Sequence, residues 1–252
     1  MKLKRVNFFK FASAGLMSLA FAHAVHAATV YADDFDGTAV DAGLGYSYWD
    51  ARSGDPTDWA STGNWWYNSS YDSARRPTPR SGEQALHGIS QYNWNTLSTN
   101  FQAGNHSLSV WVQGDSDAVD ATDSIWLYLY DGSQTDAFSV GTQTFDGASL
   151  FAARFDADGM TAEVINAGGG SIGAFSGINR SGGSEWSQAV INYAIGDGDP
   201  LIGTPIGIAL YGNGDVAFDD VEVSVDAIPE PSTVGLLGLG LLSLLRRRRS
   251  KA

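Results

Sequence analysis

The chain contains no cysteine. No disulfide can close its loops, so packing, hydrogen bonds or a bound ion must hold the fold. Lysine is missing between Ala28 and Ala227, where the only bases are Arg52, Arg75, Arg76, Arg80, Arg154 and Arg180. Against these 6 arginines stand 27 acids, a net charge of −21 for the stretch. Such a surface repels nucleic-acid phosphates and excludes nucleic acid as a partner. Histidine is scarce too, with only His87 and His106 after residue 27, both inside strand-like patterns. No G-x-S-x-G, H-E-x-x-H or P-loop occurs, so serine-hydrolase, zinc-protease and nucleotide readings lack their residues. The glutamates of the same stretch, Glu83, Glu163, Glu185 and Glu222, form no E-x-D-x-E cluster. Glycoside hydrolysis needs two carboxylates flanking one bond, and nothing singles out such a pair. The expectation is a domain without catalytic activity.

Helix signals are also sparse. No long stripe of period 3.6 runs through the chain, and 30 glycines interrupt it. What is present instead is a series of short Val-, Ile-, Phe-, Tyr- and Trp-rich runs between Gly, Asp, Asn and Ser. They predict strands at Thr29–Phe35, Gln84–Tyr92, His106–Gln113, Ser124–Asp131, Ala137–Thr142, Leu150–Asp156, Met160–Asn166, Trp186–Ala194, Ile206–Tyr211 and Val216–Val225. Asp158-Gly159 sits between two of them as a hairpin turn. Many short strands with turn residues between them predict one all-β, antiparallel sandwich or barrel over residues 28–227.

Alternation orients the strands. Leu108, Val110 and Val112 share one face, with Trp111 on the other; Ile125, Leu127 and Leu129 share one face, with Trp126, Tyr128 and Tyr130 opposite. Paired as a hairpin, the two runs place Trp111, Trp126, Tyr128 and Tyr130 in one aromatic strip. Either a second layer covers that strip and its rings are core, or it is open and binds a ligand. A second aromatic-rich segment, Gly45–Ser81, carries Trp49, Trp59, Trp65 and Trp66 among Gly, Ser, Asp and Asn, a loop composition. Sugar rings stack their C–H faces on Trp and Tyr, while Asp and Asn take hydroxyls. The segment is a second glycan-site candidate, or a plug of aromatic core.

The acidic loops favour counter-cations, calcium above all. Strict alternation over Val216–Val225 puts Asp219 on the same face as Val221, Val223 and Val225. A carboxylate there needs a partner, because an isolated buried charge is costly. The run Asp115, Asp117, Asp120, Asp123 lacks the glycine and closing glutamate of an EF-hand and reads as a hairpin loop.

The two ends read as addresses. Lys2, Lys4, Arg5 and Lys10 precede an apolar run, and Val25-His26-Ala27 supplies small residues at a cleavage site. Residues 1–27 therefore read as a secretory signal peptide, cut by signal peptidase. At the other end, Pro229-Glu230-Pro231, the run Thr233–Leu245 and Arg246, Arg247, Arg248 and Arg249 resemble the PEP-CTERM sorting signal. The resemblance implies residues 228–252 as a unit that an exosortase recognises in a Gram-negative, exopolysaccharide-producing host. It implies membrane anchoring before processing, and cell-surface or extracellular (biofilm) delivery after it. Thirteen apolar residues are few for a bilayer core, which takes about 20. With flanking residues and snorkelling arginines, a transmembrane helix over about 232–245 spans it marginally, arginines inside.

Within the domain, "QALHGISQYNWNTLSTNFQAGNHSLSVWVQGD" and "PLIGTPIGIALYGNGDVAFDDVEVSV" resemble galactose-binding-like jelly rolls, the latter as their closing strand pair. "DDFDG" also occurs in concanavalin-like sandwiches, which stand as the alternative fold. The jelly-roll resemblance implies a structural calcium held by Asp219 with Asp33, Asp34 and Asp36. The functional expectation is a surface or matrix protein whose sandwich binds a polysaccharide. The alternative is an acidic, calcium-bridged matrix component without specific glycan binding.

Overall fold

The computed structural model describes residues 27–36, 46–48, 59–61, 65–68, 78–82, 84–114, 123–134, 149–159, 161–165, 168–179 and 185–227. Residues 1–26, the tail from 228 onward, Trp49, the expected strand Ala137–Thr142, and Asp115, Asp117 and Asp120 lie outside them. The described residues form twelve strands and no helix. These are β1 (Ala28–Asp33), β2 (Tyr46–Tyr48), β3 (Ala60–Ser61), β4 (Trp65–Asn68), β5 (Gln84–Asn100) and β6 (Gly104–Gly114), followed by β7 (Ser124–Asp131), β8 (Ser149–Asp156), β9 (Thr161–Ile165), β10 (Gly170–Ile172), β11 (Ser187–Ile195) and β12 (Pro205–Ala227).

Every described pairing is antiparallel, and the architecture is a jelly-roll sandwich. One layer contains β3, the second half of β5, the first half of β12, β7, β8 and β9. The other contains β10, β11, β6 and the second half of β12, flanked by β1 and by the first half of β5 with β4 and β2. β5 and β12 pair with each other and run through both layers, and β11 lies over β7 and β8 without pairing to them.

β12 joins what the residue pattern divides into Ile206–Tyr211 and Val216–Val225. A bulge at Gly212–Asp215 lets one strand pass between layers, and Gly214 sits at φ 98° with no room for a side chain beside Asp123. Trp and Tyr among small polar residues hid β2, β3 and β4, so Gly45–Ser81 is not loop throughout.

The interior is apolar from both sides. Leu108, Val110 and Val112 of β6 meet Ile125, Leu127 and Leu129 of β7, Phe151 and Phe155 of β8, and Ile206, Ile208 and Leu210 of β12. Each such side chain contributes about 2 kcal/mol on burial. A handful of them exceeds the ~2–4 kcal/mol of a disulfide, so the missing cysteines leave no deficit. The aliphatic faces of β6 and β7 both point inward as alternation predicts, but from opposite layers. The two strands do not pair: β6 pairs with β11 and β12, and β7 with β12 and β8. The expected strip joining Trp111 to Trp126, Tyr128 and Tyr130 is therefore divided between the two outer surfaces.

Candidate functional site

The larger aromatic surface lies on the outside of the first layer. On β12, Ile206, Ile208 and Leu210 face the core, so Gly207, Ala209 and Tyr211 face outward. Register then builds rows across the sheet. Tyr92, Tyr211, Trp126 and Arg154 form the first, Trp94, Ala209, Tyr128 and Ala152 the second, and Thr96, Gly207 and Tyr130 the third. The rings interlock: Tyr92 and Tyr211 are 4.4 Å apart, Tyr92 and Tyr128 6.1 Å, and Trp126 stacks on Tyr128 at 5.6 Å and 18°.

Tyr130 crosses β12 above Gly207, where any Cβ would collide with its ring. Its hydroxyl donates to the Asn95 carbonyl at 3.1 Å and lies 3.3 Å from Thr96 Oγ1. Burial pushes this phenol up to about 12. Tyr128 and Tyr130 are buried and cannot meet a ligand face-on; they are the bed beneath the half-buried Trp94, Trp126 and Tyr211. Beside Trp94 opens a cleft of about 530 Å³ lined by Tyr31, Asn95, Thr96 and Ser98. Its volume falls in the range of small-molecule sites.

Trp111 lies on the outside of the other layer, under a strap formed by residues 78–82. Trp186 Nε1 donates to the Thr78 carbonyl at 3.1 Å. The Arg80 guanidinium sits 3.8 Å over the Trp111 ring and pairs with Asp220, which also accepts from Ser81 Oγ. Asp219 accepts the N–H groups of Arg80 (2.7 Å), Ser81 (3.3 Å) and Asp220 (2.8 Å). Burial pushes its carboxyl up to about 7 despite these bonds. A cavity of about 620 Å³ beside the strap is lined by Asp34, Arg80, Trp111, Gln188, Asp220 and Glu222. Trp111 thus already carries an internal cation on its face.

Asp219 does not share a face with the valines. Two residues of β12 oppose one of β6 between Asp219 and Glu222, and Asp220 takes φ 45°. This bulge returns Val221, Val223 and Val225 to the core and leaves Asp219 opposite Trp111, on the outer side.

Asp33, paired in register with Val221, belongs to an inward network. Its Oδ1 accepts Phe35 N, and its Oδ2 accepts the Tyr31 hydroxyl and Trp59 Nε1, each at 2.8 Å for Oδ2. Tyr31 also accepts from Asn95 Nδ2, and burial, with Asp33 beside it, raises the Tyr31 phenol far above its usual range. Asp34 accepts Asp36 N, and Asp36 accepts Gln84 N. Each of the four expected calcium ligands thus accepts N–H or O–H groups of the protein itself. Among the described residues no three His, Asp or Glu side chains gather as a metal group.

Trp59 is core, packed on Tyr31 and Phe35, and is no sugar platform. Trp65 and Trp66 are strand residues of β4, opposite His87 and Leu86 of β5. Both histidines are buried. Trp94 and Tyr211 went unread as site residues. The signal for Trp94 was present in "QYNWNTL", where Tyr92 and Trp94 alternate with asparagines.

Residues 227–249 match the PEP-CTERM protein-sorting motif, so the chain carries that signal. No functionally curated protein is similar to it in sequence. Among solved structures, a Stig cyclase (Fisc) from Fischerella sp. TAU is 13% identical, with a TM-score of 0.46 over 81% of this chain and 100% of that one. The CBM22-1 xylan-binding domain of Paenibacillus barcinonensis Xyn10C is 11% identical, with a TM-score of 0.40 over 81% and 97%. The C-terminal CBM6 of LamC, a laminarinase from Zobellia galactanivorans, is 11% identical, with a TM-score of 0.31 over 71% and 98%. At this distance the likenesses carry no weight on activity.

Proposed function

We propose that the protein is exported, processed by signal peptidase and an exosortase, and delivered to the surface or matrix of a Gram-negative cell. There its sandwich binds a polysaccharide without cleaving it. One observation carries the binding role: Trp94, Trp126 and Tyr211 stand half-buried together on one sheet face, over a bed of buried tyrosines. Preformed, rigid aromatic surface stacks sugar rings at low entropic cost. The adjoining cleft offers the exposed hydroxyl groups of Thr96 and Ser98 to a second sugar unit. Affinity electrophoresis of the protein through gels containing different polysaccharides tests this. Retardation by at least one polymer, lost in Trp126→Ala, is the expected result. Unretarded migration in every gel, or retardation unchanged by Trp126→Ala, rules the face out.

The net charge of −21 over residues 28–227 favours a second role, in which calcium bridges acidic surfaces within the matrix. Calcium-dependent self-association without glycan binding is its signature.

A further inference from the structure

Both ends of the domain leave from one pole of the sandwich. Ala227 closes β12 opposite Gly104, the first residue of β6, and Ala28 opens β1 opposite Val225. Two strand residues separate these pairs, about 7 Å. β5 ends at Asn100 in the first layer, and β6 begins at Gly104 in the other. From Asn100 to Gly104 the chain reaches at most about 14 Å, little more than the ~10 Å between packed layers. The two layers therefore end together here. The β11–β12 loop, residues 196–204, crosses the same pole, from Ile195 opposite Gly104 to Pro205 opposite Asn100. The far pole carries the bulge at Gly212–Asp215 and the turn Asp158-Gly159.

The loop is a built projection. Asp199 N donates to the Gly196 carbonyl (3.2 Å), Ile202 N to the Asp199 carbonyl (3.1 Å), Leu201 N to Asp199 Oδ1 (2.9 Å) and Thr204 N to the Leu201 carbonyl (2.9 Å). Gly203 N and the Thr204 carbonyl bind the backbone of Phe101. These bonds present Ile202 at 41% exposure, one of two large apolar side chains left open among the described residues, next to exposed Pro200 and half-buried Leu201.

The sorting motif starts at this pole, since its match begins at residue 227. Only residues 228–232 separate Ala227 from the apolar run Thr233–Leu245. Five residues reach at most about 17 Å, and headgroups fill roughly 5–7 Å on each side of the hydrocarbon, so an embedded tail keeps the pole within about 12 Å of the headgroups. Ala28 directly follows the expected signal-peptide cut, so before that cut both tethers pull on one pole. Neither described base stands here: Arg80 lies over Trp111 and Arg154 opposite Trp126. Asp197 and Asp226 disfavour an anionic surface, so an attraction of this pole to lipid is apolar.

Resting on the export and sorting reading above, in which Thr233–Leu245 spans the membrane, we infer that this pole is a membrane-docking surface. While the tail is intact, the Leu201–Ile202 tip rests in the headgroup layer of the same bilayer. One apolar tip holds no free domain on a membrane, but the tail makes the encounter intramolecular and raises its effective concentration. The aromatic face runs along β7 and β12 between the poles and stays clear of the lipid. Removal of the tail ends the contact and frees the domain.

The chain has no cysteine, so one substitution creates one labelling site. Full-length protein is labelled with a fluorophore through Ile202→Cys, through Asp158→Cys at the far pole, or through Gly238→Cys in the tail. Each is placed in vesicles of phosphatidylethanolamine and phosphatidylglycerol carrying nitroxide quenchers on headgroups or acyl chains. The label at position 238 should lose its emission to the acyl-chain quencher. The label at position 202 should lose most of its emission to the headgroup quencher, and the label at 158 should keep its own. Unchanged melting temperatures establish that the domain variants fold. Quenching at 238 with none at 202, or with 202 and 158 quenched alike, overturns docking but leaves the sorting reading standing. No quenching at 238 overturns the membrane span and docking together.

Discussion

Asp219 and Val221 lie two residues apart on β12 and face opposite sides of the sheet, because the bulge at Asp220 intervenes. Val221 closes the core, while Asp219 gathers the N–H groups of Arg80, Ser81 and Asp220. The carboxylate thereby fastens the strap 78–82 over Trp111. Asp219→Ala leaves up to three part-buried donors without that acceptor, at about 1–3 kcal/mol for such a loss. The expected net is a destabilisation of about 2 kcal/mol, reduced by relief of the buried charge, and read as a lower denaturant midpoint at unchanged m-value. An unaltered midpoint would show that the strap holds without Asp219.

Asp219 already accepts three N–H groups, so any stabilisation by calcium is expected to act through other surface carboxylates. Chelator should therefore shift the melting temperature of wild type and Asp219→Ala equally. A chelator effect confined to the wild type would return Asp219 to the role of calcium ligand. No effect in either protein would remove calcium from the account of stability.

The two tryptophans expected in one strip should behave differently. Trp111 is capped by Arg80, whereas Trp126 is half-open beside Tyr211. Trp126→Ala should weaken polysaccharide binding on the order of tenfold, the scale of a buried aromatic anchor. Trp111→Ala should leave binding unchanged and lower stability instead. Titrations of both variants against the polymer retarding the wild type decide it, and the reverse pattern would move the site to the other layer.

Alternation was a sound guide to which side chains face inward and a poor one to which strands pair. The aliphatic faces of Leu108–Val112 and Ile125–Leu129 are satisfied equally by a hairpin in one layer or by two strands facing each other, and register lies in contacts distant in the chain. Bulges fail for a related reason. Asp219-Asp220 breaks the period at one residue, and all parity beyond it inverts. Trp94 was missed because Asn93 and Asn95, which point to the core side beside Leu210 and Ile208, ended the apolar run as read. Asn95 is placed there by Tyr31, 64 residues away, so no local pattern announces it.

His106 is buried beside Phe101 and accepts the Gln102 N–H through Nε2 at 3.4 Å, which requires the neutral ring. Burial lowers its pKa below the usual 6.5, with nearby backbone carbonyls only partly offsetting it. The unfolded chain binds a proton near pH 6.5 and the folded one resists it. The contribution of His106 is therefore fully present above pH 6.5 and is lost as pH falls below that value toward the folded pKa. Asp219, raised by burial, works in the opposite sense over the acid range, so the comparison must be with a variant. Wild type minus His106→Gln should show stability declining below pH 6.5. Parallel stability curves would assign acid sensitivity elsewhere.

The shape of the aromatic face depends on a position with no side chain. Gly207 lets the Tyr130 ring lie across β12 and reach Asn95 on β5, and this ring walls one end of the surface around Trp94, Tyr128 and Ala209. Gly207→Ala places a methyl group into that ring. Overpacking of this kind costs typically 1–3 kcal/mol, and relief requires Tyr130 to swing toward solvent, over the place where a sugar would lie. Both stability and polysaccharide binding should fall. Tyr130→Phe separates the two effects. The ring stays over Gly207 and only the hydroxyl contacts to Asn95 and Thr96 are lost, about 1 kcal/mol of stability with binding retained. If Gly207→Ala binds its polymer as wild type does while melting lower, the ring supports the fold and takes no part in shaping the site. If Tyr130→Phe loses binding, the hydroxyl itself reaches the ligand and the buried placement of Tyr130 is overturned.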